Sequence, residues 1–272
     1  MQNYRPALGL TPAIKILLIL NVIVYFLSSF SGSIMQEYLY HTFSLHLPQS
    51  PYWKPWQYIT HMFLHADISH LFFNMFAVFM FGRILENIWG TKRFFIYYFV
   101  CGIGAGLLNT AIGWFELKDL MEQFSTFNAD PSPTLFADVV KEQIAHPHKD
   151  VWNFIDEWIN SSNPAAFVEQ GKLLFQRIID LKINTPMIGA SGAVFGILLA
   201  FGMLFPNTAL YLMFIPIPIK AKYFVIGYGL IEIYLGLQNN PGDNIAHFAH
   251  LGGMLFGFLL LRFWNRNRRL FY

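Results

Sequence analysis

Three short stretches of this chain hold side chains able to do chemistry together. The first is Gly189-Ala190-Ser191-Gly192, followed by the apolar run AVFGILLAFGMLF. The second is AHFAHLGGMLFG, with His247 and His250 ahead of Gly253 and Gly257. The third is HMFLHADISHLFFN, with His61, His65, His70 and Asn74. A serine hydroxyl becomes a nucleophile when a neighbouring base takes its proton, and histidine suits that task. Glycines on both sides let other backbone approach Ser191 closely. A serine opening a helix also lies among unpaired backbone N–H groups, which favour a developing negative charge. His70 and Asn74, four apart, share one helix face. Both can donate hydrogen bonds to an oxyanion.

Each stretch also has an ordinary reading. Small residues let membrane helices pack closely. Polar groups such as His70 and Asn74 join helices in a bundle. GASG is not the G-x-S-x-G elbow of soluble hydrolases. His61 and His65 have the i, i+4 spacing of a zinc site, but no HExxH is present, and no metal is expected. Together, however, the three stretches supply a nucleophile, a base and oxyanion donors, the parts of acyl transfer.

The elements that must position these residues are membrane helices. Of the 272 residues 55% are hydrophobic and only 12% charged, against about 25% charged in a soluble domain. A spanning helix needs about 20 mostly apolar residues. Six segments meet or approach that, at 13–31, 62–82, 94–114, 189–205, 221–237 and 246–264. No small-residue cleavage site follows the first of these runs, so it reads as a retained helix rather than a signal peptide. Alternating helices collect Arg5, Lys15, Arg83, Lys92, Arg93, Lys220, Lys222, Arg262, Arg266, Arg268 and Arg269 on one side. The opposite short loops hold only Lys54. By the positive-inside rule both termini are then cytoplasmic. All three chemical stretches open helices at the other side, where water is available for hydrolysis. The net charge of +2 gives no reason to expect a nucleic-acid partner. Cys101 sits alone in an apolar run and reads as packing.

Residues 115–188 are too long and polar for a simple connection. They hold 11 acidic and 6 basic residues, with amphipathic helices expected at 134–144 and 164–181. Such a length suggests an inserted subdomain, extracytoplasmic by this topology. The division is thus 1–114 (helices one to three and the first outer loop), 115–188 (the insert) and 189–272 (helices four to six and a basic cytoplasmic tail).

The pattern resembles the rhomboid family of intramembrane serine proteases. The resemblance rests on HMFLHADISHLFFN, GASG and AHLGG with the following Gly257, and on FGRILENIWG with Glu86. It covers most of the chain except 115–188. It implies an all-α membrane protein, a six-transmembrane-helix rhomboid bundle with a long extracytoplasmic insert between helices three and four. It implies that Ser191 is the nucleophile and His250 the general base, in a dyad without a carboxylate. His250 rather than His247 fits the family's His-x2-Gly-x3-Gly spacing. His70 and Asn74, with the Ser191 amide, would donate to the oxyanion. Gly189, Gly192, Gly253 and Gly257 would support the site, and Phe195 would pack on the His250 ring. Helix five and the loop around 236–246 would gate substrate entry. Substrates would be transmembrane protein segments within the lipid bilayer, and no cofactor is implied.

The chain departs from the family pattern in two places. Trp56-Gln57 replaces a frequent Trp-Arg, which questions how the first outer loop is anchored. The insert is unusual, and on the active-site side it would dock substrates or shield the entrance. Glu232, mid-span in helix five, is either functional or a structural hydrogen-bond partner. A client-binding relative without catalysis would lack the serine or the histidine, and a transporter would show a half-to-half repeat. The charge asymmetry and compact plan fit a bacterial inner membrane.

Overall fold

A computed structural model gives the architecture and describes residues 9–212, 215–238, 240, 243 and 245–266. Arg5, Arg268 and Arg269, assigned to the basic side, lie outside the described residues, as do the Arg266 side chain and parts of the loop around 236–246.

The protein is mainly helical. Helix α1 (Pro12–Phe30) starts with proline in its first turn, where the missing N–H has no partner to lose. Helix α2 (Ser33–Phe43) lies in the first loop. Helix α3 (Ile68–Trp89) contains one π turn, Val78–Gly82. It starts later than the expected 62, because His61–Phe63 forms a separate 3-10 turn and Asp67 caps the helix by accepting from His70 N–H at 2.8 Å. Helix α4 (Thr91–Ala129) runs for 39 residues, about 58 Å at 1.5 Å per residue. A membrane core holds about 20 residues, so the second half of α4 continues into the 115–188 region.

That region adds α5 (Pro133–Gln143), α6 (Lys149–Asn160) and α7 (Val168–Asn184). The helices at 134–144 and 164–181 are present, the second beginning as a 3-10 turn at Pro164–Phe167; α6 is an additional one. These helices close around Phe127, Phe136, Phe154, Trp158, Phe175 and Ile179. The membrane-side core is a separate cluster running from Ala13 and Ile14 to Val225 and Leu261.

Helix α8 (Ser191–Leu204) follows, then a hairpin of β1 (Ala209–Leu212) and β2 (Ile215–Lys220), then α9 (Ala221–Gln238) and α10 (His247–Arg266). The hairpin departs from the all-α expectation; its antiparallel register pairs Ala209 with Lys220. Among the described residues α1, α3 and α4 are long and apolar enough to cross a membrane, and α8 is a shorter apolar helix. Their outward faces carry exposed Ile16, Ile23, Phe26, Phe72, Phe76 and Ile96. Apolar faces of this extent on several helices fit a lipid surface.

Candidate active site

The site forms where the start of α8 meets the start of α10. Residues 187–189 are strapped down before the helix begins. Leu45 and Met187 exchange backbone hydrogen bonds at 2.9 and 2.8 Å, and Gly189 N–H donates to the His61 carbonyl at 2.9 Å. Gly189 has φ +112°, a conformation that L side chains avoid. A β-carbon there would also lie 2.8 Å from the His70 ring. Gly189 therefore both makes the turn into α8 and leaves room for His70.

Ser191 is the first residue of α8. Its Oγ lies 2.9 Å from His250 Nε2. The ring of Phe195, one turn on, stacks on His250 with centroids 4.1 Å apart and planes 8° apart. Gly192 and Gly253 bring the backbones of α8 and α10 close together: a β-carbon on Gly253 would collide with the Gly192 carbonyl. Gly257 faces the Tyr97 hydroxyl of α4 instead.

The other face of His250 departs from the dyad that the resemblance implies. Its Nδ1 lies 2.9 Å from Glu232 Oε2 of α9. The same oxygen lies 2.6 Å from His247 Nδ1, and His247 Nε2 lies 2.9 Å from Asp243 Oδ2. Glu232, His247 and His250 are all buried. The His247 hydrogen bond holds the Asp243 carboxyl below its ordinary range. Sequence reasoning left the Glu232 role open and passed over Asp243. The available signal was spacing: Asp243 precedes His247 by four residues, and His247 precedes His250 by three.

The oxyanion candidates are placed less directly. His70 reaches the Gly189 turn, but Asn74 Nδ2 donates to the His70 carbonyl at 3.0 Å, within its own helix. The second N–H of that amide remains available as a donor. His61 Nδ1 donates to the Gln57 carbonyl at 2.7 Å. His65 is fully buried, and neither ring nitrogen has a hydrogen-bond partner among the described residues. Neither joins a cluster of metal-ligating groups among the described residues. Glu232, His247 and His250 do bring such atoms within 4.8 Å of one another. Each ring nitrogen there already faces a carboxylate or the serine hydroxyl, an arrangement complete with protons alone.

A family model, the Rhomboid domain, matches residues 52–115 and 166–266. The chain belongs to the rhomboid family. The match brackets the stretch 116–165, within which α5 and α6 lie. This rhomboid is 27% identical over 223 residues to an uncharacterized mitochondrial rhomboid protein of Schizosaccharomyces pombe, covering 78% of this chain and 52% of that one. It is 24% identical over 220 residues to the mitochondrial rhomboid-like protein 12 of Arabidopsis thaliana, covering 80% and 49%. It is 24% identical over 215 residues to the rhomboid protease AarA of Providencia stuartii, covering 75% and 54%. The chain thus spans about half the length of these curated relatives.

The mitochondrial names among the relatives overturn the expected bacterial inner membrane. The physical reason is simple: charge asymmetry reports which loops share a side of a membrane, not which membrane it is.

Proposed function

We propose that this rhomboid is an intramembrane serine endopeptidase of a mitochondrial membrane. It would hydrolyse peptide bonds in or near transmembrane segments of membrane proteins. The observation that carries the reading is the 2.9 Å contact between Ser191 Oγ and His250 Nε2 at the mouth of α8. In this proposal α1, α3, α4, α8, α9 and α10 form the six-helix bundle. The 115–188 insert lies on the active-site side, between the two parts of the core at 1–114 and 189–272.

The proposed reaction follows from the geometry. Ser191 Oγ–H donates to His250 Nε2, so the hydroxyl attacks the scissile carbonyl as that nitrogen takes its proton. The negative oxygen of the tetrahedral adduct lies at the N-terminus of α8, where unpaired N–H groups point outward. His70, Asn74 and the Ser191 amide would donate to it. Collapse breaks the C–N bond, and His250 returns the proton to the leaving amine. Water then cleaves the serine ester by the same steps in reverse. Phe195 holds the ring of His250 in plane throughout.

The test uses the wild type, Ser191→Ala and His250→Ala in liposomes with a labelled transmembrane peptide. Cleavage by the wild type alone is expected. Equal cleavage by all three would indict a contaminant. Tight binding without cleavage, across several peptides, would favour a client-binding protein.

A further inference from the structure

Helix α9 contributes one carboxylate to the buried interior, and its position is informative. Glu232 is 4% exposed, and Oε2 accepts from two imidazoles, His250 and His247. A carboxylate inside a membrane bundle is costly unless paired. Here three groups compensate one another in a row: Asp243, His247 and Glu232.

The protons follow from the carboxylates. With Glu232 ionised its Oε2 can only accept, so His250 Nδ1 carries the ring proton, and Nε2, 2.9 Å from Ser191 Oγ, is left to accept from the hydroxyl. His247 has a carboxylate oxygen at each ring nitrogen, 2.6 and 2.9 Å away. With both carboxylates ionised, each contact is a hydrogen bond only when both nitrogens of His247 are protonated. The row then reads anion, cation, anion, ending on a neutral His250. When His250 accepts the serine proton, the row becomes electrically balanced. A neutral His250 in the other tautomer would place its proton on Nε2 and could not act as base.

We propose that Glu232 is a positioning residue that turns the Ser191–His250 pair into a Ser–His–Glu triad, with His247 and Asp243 holding Glu232 in place. This rests on the protease reading above. Glu232 would fix the Nδ1–H tautomer and the ring orientation of His250, and would stabilise the imidazolium formed during acylation. Oriented carboxylates do the same in soluble serine proteases, where the isosteric amide lowers turnover by about 10⁴-fold through the wrong tautomer. The other groups near His250 are His70 of α3, and His247 and Asp243 on its own side.

The experiment compares wild type, Glu232→Gln and Glu232→Asp in liposomes, reading kcat and KM separately on a labelled transmembrane peptide. Side-chain ¹⁵N spectra of His250 are recorded on the same proteins. Glu232→Gln is expected to lower kcat by about 10²- to 10⁴-fold with KM little changed, and to remove the pure Nδ1–H signature. Glu232→Asp keeps the charge and is expected to recover much of the lost turnover. Unchanged kcat and unchanged spectra in Glu232→Gln would overturn the proposal. So would a matching loss in Glu232→Asp with His250 still in the Nδ1–H form, since that is the mark of a packing role. If Glu232→Gln fails to fold, Glu232→Asp carries the comparison. If the wild type cleaves no peptide, the protease reading fails on its own, and the ¹⁵N tautomer still decides whether Glu232 orients His250.

Discussion

The backbone carbonyl of Gly192 occupies the space that a β-carbon on Gly253 would need. Gly192 follows Ser191, and Gly253 lies less than one helical turn after His250, so this contact sets the separation of Ser191 and His250, the proposed nucleophile and base. Backbone cannot yield as a flexible side chain can. Gly253→Ala is therefore expected to push α10 away from α8. A misplacement of about 1 Å costs roughly 10²-fold in rate. The rate at which a fluorophosphonate labels Ser191 measures it. Gly227→Ala on α9, where a β-carbon meets nothing within 4 Å, is the control and should label normally.

Asn74→Ala should lower turnover without unfolding the protein. Among the described residues the amide of Asn74 bonds only to the carbonyl of His70, one turn back in its own helix, so no other helix hangs on that bond. An oxyanion donor is worth about 3–4 kcal/mol, or roughly 100- to 1,000-fold in rate. Full turnover in Asn74→Ala, measured with the labelled peptide, would remove it from the oxyanion site.

Gln57 answers the question raised by its replacement of arginine. It is fully buried, its Nε2 donates to the carbonyls of Tyr52, His41 and Thr42, and its Oε1 accepts from His46 N–H. One neutral amide thus anchors the first loop at both ends. Gln57→Leu keeps the volume but strands buried backbone groups, each costing about 1–3 kcal/mol. Thermal unfolding should fall markedly, and proteolytic nicking of residues 44–56 should appear.

Much of this arrangement was legible in the residues, and the limits have physical causes. Apolar runs at 13–31, 189–205, 221–237 and 246–264 end within about two residues of α1, α8, α9 and α10, because each is bounded by a proline, glycine or polar residue that stops a helix. The end of α4 was not legible. The apolar pattern ceases near residue 114, while the helix continues as an amphipathic rod through Leu117, Leu120 and Phe127. The β1–β2 hairpin fell between two helices and was too short to register. Ser191, His250 and Phe195 were singled out through the family resemblance carried by GASG and AHLGG; within one helix, the four-residue step from Ser191 to Phe195 puts both on one face. The bond from Glu232 to His250 was not readable. It depends on the rotation of α9 about its own axis, and no repeat in that helix encodes it.

Glu86 shows how a second buried carboxylate, at the α3–α4 connection, serves structure alone. It is buried and receives Thr11 Oγ1, the N–H groups of Ala13 and Ile14 at 2.9 and 3.2 Å, and Thr91 Oγ1 at 2.7 Å. It thereby caps α1 and ties the α3–α4 turn to it. Glu86→Ala should destabilise the bundle by about 3 kcal/mol or more, as buried donors lose a charged acceptor. Chemical unfolding in detergent checks this. Unlike Glu232→Gln, the variant that remains folded should keep wild-type kcat.

The 115–188 region, the proposed insert, packs its helices around a second core, and this separates its stability from catalysis. Trp158 is 1% exposed and packs edge-on to Phe127 and parallel to Phe167, with no member of the membrane-side cluster among its neighbours in that core. Truncating it leaves a cavity among Phe127, Phe136 and Phe175 and should cost about 3–5 kcal/mol. That loss should fall on α5, α6 and α7, read as faster hydrogen exchange between residues 133 and 184. Fluorophosphonate labelling of Ser191 in Trp158→Ala should stay at the wild-type rate if the insert only shields or docks substrate. A parallel loss of labelling would mean that the insert holds the site itself, through the Leu45–Met187 strap that leads from α7 into Gly189.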